Sequence, residues 1–101
     1  QALAPCLPRS LTFLELGCNL IGDEGTTALA ANMPPSLAHL DLNNNDLTKE
    51  GVRALAPALP ATLEFLSLAH NYFGVEGWGE LALHLSSKTR LEALELQNND
   101  L

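Results

Sequence analysis

Four asparagines, Asn19, Asn45, Asn71 and Asn99, each close the same phrase, Leu-x-x-Leu-x-Leu-x-x-Asn. The phrase occupies residues 11–19, 37–45, 63–71 and 91–99. A carboxamide donates and accepts at once, so it suits backbone groups that lose their partners where a strand turns away. One such amide per repeat predicts a buried structural ladder of Asn19, Asn45, Asn71 and Asn99, and not a ligand site.

The residue types that do covalent chemistry form no working set. Ser67, His70 and Asp41 supply a nucleophile, a base and an acid, but no nucleophile-bearing turn or oxyanion-hole motif accompanies them. His39 and Asp41 lie two apart and offer at most a weak metal contact; His39, His70 and His84 lack the spacing of a ligand set. The sequence contains no His-Glu-x-x-His, no phosphate-cradling glycine loop and no Cys-x-x-Cys. Glu24, Glu50 and Glu76 recur as a row, which helix-dipole complementation at three helix starts explains. Calcium would need oxygens converging on one point. The expectation is a non-enzyme with no catalytic residue, no cofactor and no metal.

The elements that position these residues follow from the period. The phrases start 26, 26 and 28 residues apart, the signature of a solenoid. Leu14/Leu16, Leu40/Leu42, Leu66/Leu68 and Leu94/Leu96 alternate with polar or aromatic neighbours, as short strands do. An apolar residue follows each Asn by two (Ile21, Leu47, Phe73, Leu101), and Gly22, Thr48 or Gly74 then precedes a helix start. Gly25, Gly51 and Gly77 are expected where helix and sheet approach too closely for a side chain. Leu29, Leu55 and Leu81 lead the buried helix stripe, continued by Met33, Leu59 and Leu85. Pro5 and Pro57 fall late in their helices and should end them, and Pro8, Pro34 and Pro60 mark the return loops. The third repeat lacks both prolines and carries extra residues in 86–90, so its helix should run longer. The result is one array over 1–101: a trailing half-repeat 1–10, full repeats 11–36, 37–62 and 63–90, and a leading half-repeat 91–101. Chain ends inside repeats predict a stretch of a longer array, with exposed repeat ends able to self-associate.

Function is expected on the outward strand positions. One column reads Phe13, His39, Phe65, Ala93; the next reads Glu15, Asp41, Ser67, Glu95; a third reads Gly17, Asn43, Ala69, Gln97. Strands about 4.8 Å apart put Glu15 beside Asp41, like charge against like charge. None of the five basic residues (Arg9, Lys49, Arg53, Lys88, Arg90) falls in these columns. Two readings stay open: an acidic-aromatic patch for a basic partner, anchored by Phe13 and Phe65 and extended by His70 and Tyr72, or a solvated sheet face of an acidic protein. Trp78 aligns with Thr26 and Val52 and is expected packed or half-exposed on the helix rather than as an anchor.

Composition narrows the classes. A net charge of −7 argues against nucleic-acid binding, which needs a basic face, and suits a neutral or basic protein partner or simply solubility. No apolar run approaches the roughly 18 residues of a membrane helix, so no membrane partner is expected. Cys6 and Cys18 make no disulfide framework and are expected reduced, in an intracellular compartment.

The strand phrase together with the downstream pairs Gly25/Leu29, Gly51/Leu55 and Gly77/Leu81 resembles the ribonuclease-inhibitor-like class of leucine-rich repeats, over essentially the whole chain. That resemblance implies an α/β fold: a right-handed leucine-rich-repeat solenoid with a concave parallel β-sheet and convex helices. It also implies cytosolic or nuclear protein binding through the concave sheet and adjoining loops. The class includes the sensor tails of NOD-like receptors and the Ran GTPase-activating proteins, so an alternative role is regulation of an enzyme by a GTPase-activating or inhibitor-type array.

Overall fold

Four three-residue strands, β1 (Phe13–Glu15), β2 (His39–Asp41), β3 (Phe65–Ser67) and β4 (Ala93–Glu95), form one parallel sheet in the order β1-β2-β3-β4 in the computed structural model. The structure describes residues 7–85 and 90–99. The expectations for Pro5, Cys6, Leu101 and the insertion at 86–89 lie outside them. The register follows the sequence repeat: Phe13 pairs His39, His39 pairs Phe65 and Phe65 pairs Ala93. Between strands run α1 (Gly22–Ala31), α2 (Lys49–Leu55) and α3 (Gly74–Leu85), with α2 packed between α1 and α3. No helix among the described residues is long and apolar enough to cross a membrane.

Alternation decides which side of each strand is buried. Leu40, Leu42, Leu66 and Leu68 have no exposed surface, and Leu29, Leu55 and Leu81 meet them from the helices. Leu47 and Phe73, two residues after the asparagines, complete this core, while Met33, Leu59 and Leu85 pack at its margin. Parallel strands of three residues each cannot bury such leucines alone, so stability resides in the stacking of repeats.

The turns repeat as faithfully as the strands. Pro57 stops α2 after seven residues and leaves a single 3-10 turn at Ala56–Ala58, whereas proline-free α3 runs twelve. The return loops close through Leu11 N–H to Pro8 O, Leu37 N–H to Pro34 O and Leu63 N–H to Pro60 O, at 3.1–3.3 Å. Ser36 and Thr62 donate their hydroxyls to carbonyls of the preceding loop, Arg9 and Leu11 for Ser36, Pro35 and Leu37 for Thr62. Just past the strands, Cys18, Asn44, His70 and Asn98 all take a left-handed backbone (φ 60, 55, 59 and 63°). That conformation costs a non-glycine residue about 1–2 kcal/mol. It bends the chain off the sheet while the N–H groups of Cys18, Asn44 and His70 still reach Asn43, Ala69 and Gln97 of the next repeat.

The close approaches at the glycines differ from the expectation. A Cβ on Gly25 or Gly77 would strike Ile21 or Phe73, four residues upstream, and one on Gly51 would strike the Asp23 carboxylate of the preceding repeat. The crowding at Gly25 and Gly77 is with the segment that enters their own helix, that at Gly51 with the first turn of α1, and none of it is with the sheet. Asp23 needs that room: its carboxylate accepts from the backbone N–H (2.9 Å) and the hydroxyl (2.5 Å) of Thr48, the residue that caps α2.

One buried position is improvable. Thr26 on α1 has no exposed surface and its hydroxyl has no hydrogen-bond partner, while Val52 occupies the equivalent place on α2, also fully covered. A buried hydroxyl without a partner costs about 1–3 kcal/mol. Thr26→Val is therefore expected to raise stability by about 1 kcal/mol or more in a urea titration. An unchanged or lower midpoint would mean that the hydroxyl is satisfied in solution.

Candidate functional site

Alternation places Phe13, His39 and Phe65 side by side on the outward face of the sheet, where their rings stack. The Phe13 and His39 centroids lie 4.0 Å apart at 12°, and those of His39 and Phe65 4.3 Å apart at 10°. Phe13 remains 57% exposed although it belongs to a three-membered stack. The strand spacing sets the ring spacing, so the stack is a direct product of one aromatic per repeat at one register position.

The neighbouring acidic column has an internal arrangement that the sequence conceals. Glu15 and Asp41 are register partners as expected, yet their carboxylates turn to different groups. Glu15 Oε2 lies 3.0 Å from His39 Nε2, a contact in which the ring N–H donates to the carboxylate. Asp41 Oδ1 accepts from the Asn43 N–H at 3.0 Å. The expected like-charge contact is thus relieved by two local partners. Glu95 is exposed at the far end of the column.

Ser67 departs from the expectation. Its column is expected to face outward, but Ser67 has no accessible surface, and its hydroxyl finds no hydrogen-bond partner. A short side chain between the longer Asp41 and Glu95, its register partners, is overtopped by its surroundings. The same lack of a partner separates it from His70, whose Nδ1 lies 3.0 Å from Asn98 Nδ2. Ser67, His70 and Asp41 therefore form no relay. No cluster of His, Cys, Asp and Glu able to hold a metal occurs among the described residues.

His70 and Tyr72 lie on the loops that leave the strands, both exposed, around a shallow hollow of about 230 Å³ shared with Asn44, Asn71 and Asn98. They adjoin the sheet face without joining the ring stack. Trp78 is 37% exposed, half-covered as expected, where Thr26 and Val52 are wholly buried. Cys18 is a free, exposed thiol.

The asparagines hold these loops. Asn45 Oδ1 accepts from Asn19 N–H and Ile21 N–H, and Asn71 Oδ1 accepts from Asn45 N–H and Leu47 N–H. Asn99 Oδ1 accepts from Asn71 N–H in turn. Their amide nitrogens donate to carbonyls of two adjacent repeats: Asn71 to Leu42, Leu68 and Ala69, and Asn45 to Leu16 and Asn43. Asn19 is the exception to the buried ladder. It is exposed, and among the described residues its side chain reaches only Gly17 O.

The row of helix-start glutamates is partly neutralised. Glu76 accepts from Lys49 Nζ at 2.5 Å, Glu50 pairs with Arg53 at 3.1 Å, and Arg53 also approaches Glu80 at 3.6 Å. The hydrogen bond to Lys49 draws the Glu76 carboxyl below its usual range and raises the Lys49 amine in return. These cations are spent on the helical side, which leaves the strand columns acidic. Two more carboxylates border the rings there. Glu64 and Glu92, one residue before β3 and β4, line a surface trough of about 450 Å³ together with Phe13, His39, Phe65 and Ala93. Their recurrence at one repeat position was visible in the sequence; that the position opens onto the ring stack was not.

Among known families, the one described as Leucine Rich repeat matches residues 8–30 and 34–56, two consecutive repeats of the array just described. No curated protein matches the chain.

Proposed function

We infer, for a chain that belongs to the leucine-rich-repeat family, a role as a protein-interaction module that grips a basic partner protein through the sheet face and its adjoining loops. Domains of this family mediate protein–protein interaction. The observation that carries the finer reading is the exposed Phe13–His39–Phe65 stack with carboxylates along both of its edges. Aromatic side chains fixed at the surface give a partner contact area without further loss of rotamer freedom, and flanking charge steers a complementary surface onto them. A period of 26 to 28 residues with a helix in each full repeat supports the ribonuclease-inhibitor-like class.

The test is capture from a cell lysate by the wild-type chain and by Glu15→Lys/Asp41→Lys/Glu95→Lys, at low and moderate salt. The expected result is a basic protein held by wild type and weakened by at least about tenfold in the variant, with wild-type binding falling as salt rises. Equal capture by both proteins at both salts would remove the acidic face from the reading and move the site to the loops of His70 and Tyr72.

A further inference from the structure

The aromatic row ends one strand early. Phe13, His39 and Phe65 occupy three successive register positions, and the fourth is Ala93, whose side chain stops at Cβ. One face of the Phe65 ring is taken by His39 at 4.3 Å. The other looks over Ala93, which is exposed, so a slot about one strand spacing wide remains beside it. Phe65, Glu64, Glu92 and Ala93 all line the trough that contains this slot. Glu95 follows Ala93 on the same face, and no lysine or arginine of the described residues stands in the strand columns.

We propose that this slot receives an arginine side chain of the partner protein, its guanidinium stacked on the free face of Phe65 as a fourth layer and its N–H groups directed at the bordering carboxylates. This rests on the sheet face being the binding face and specifies what the face selects. Two features point to a guanidinium rather than an ammonium or a fourth apolar ring. The opening is flat-walled, and a planar cation stacks where a tetrahedral one makes a point contact. Its rim carries carboxylates, which a guanidinium meets with several in-plane donors. An apolar occupant would make no use of those carboxylates.

Three nine-residue glycine-serine peptides, identical but for a central arginine, lysine or phenylalanine, separate the alternatives. Each is titrated into the intact chain and followed by the amide shifts of Phe65 and Ala93. The arginine peptide is expected to bind about tenfold more tightly than the lysine peptide, the order of a stacked cation at a partly desolvated ring. The advantage should vanish in Ala93→Phe, which fills the slot with a fourth ring at an exposed strand position, and fall sharply in Phe65→Leu. Circular dichroism of both variants confirms the fold. Equal arginine and lysine affinities would overturn the slot while leaving an acidic binding face intact. Preference for the phenylalanine peptide, survival of the arginine advantage in Ala93→Phe, or no arginine binding would each overturn the proposal. The lysate capture with the three charge reversals judges the face itself independently.

Discussion

Asn71→Ala is expected to remove a large share of the stability of this fold, whereas Asn19→Ala, the same change at the same repeat position, should move the unfolding midpoint hardly at all. Asn71 is almost wholly buried, and its Oδ1 is the acceptor for two backbone amides, Asn45 N–H and Leu47 N–H. Each buried donor left without an acceptor costs about 1–3 kcal/mol, so these two alone account for about 2–6 kcal/mol. Domains of this size hold about 5–15 kcal/mol in total. The carbonyls of Leu42, Leu68 and Ala69 lose a donor in addition. Asn71→Asp is no rescue, because it keeps an acceptor for the amides but turns a carboxylate oxygen onto those carbonyls. Asn19 is exposed and makes one side-chain bond, to Gly17 O, which water can replace, so its truncation should cost under about 0.5 kcal/mol. Urea titrations of the two variants, followed by far-UV circular dichroism, decide the matter. Similar losses in both would mean that the ladder is not what holds the turns.

That contrast also marks how far the sequence could be read. Periodicity is sufficient for the strands, their register and the inward leucines, because the alternation inside each phrase sets which side chains face the core; the two extra residues of the third repeat leave β4 in the same register on β3. Proline placement is likewise local physics: Pro57 ends α2 at Leu55, as a missing donor requires. Burial of Asn19 is not legible in its motif, because an identical motif does not guarantee an identical environment: among the described residues only the following repeat packs on its turn. For Ser67, alternation says which way the side chain points, and only the longer Asp41 and Glu95 beside it decide whether water reaches it.

The candidate site divides along the same line. That Phe13, His39 and Phe65 share a column was legible, and so was the absence of cations from it. Parallel stacking at 4.0 and 4.3 Å was not, since it depends on rotamers, nor was the pairing of Glu15 with His39 in preference to confrontation with Asp41. Asp23 escaped notice because its role is exercised across a repeat boundary. Its carboxylate caps the next helix through Thr48, and Gly51 leaves the space for it.

Two glycines on α3, two residues apart, should respond to alanine with opposite signs. A Cβ at Gly77 would lie 2.5 Å from Phe73 Cβ and 2.8 Å from its ring, both inside contact distance. Phe73 is 2% exposed and belongs to the core, so its ring cannot swing into solvent, and its Cβ moves only with the backbone. Gly77 N–H also donates to Phe73 O at 3.0 Å, which ties the two residues together at the first turn of the helix. Overpacking of this kind costs about 1–3 kcal/mol, more than the gain alanine brings to a helix. At Gly79 nothing stands within 4 Å of the added methyl group, and the residue is exposed within the same helix. Alanine there only restricts the unfolded chain and should stabilise by about 0.5–1 kcal/mol. A thermal melt of Gly77→Ala shifted down by several degrees beside one of Gly79→Ala shifted up is the expected outcome. Parallel shifts of the two would show that Phe73 yields to the methyl group and that the entry segment of the helix is not close-packed.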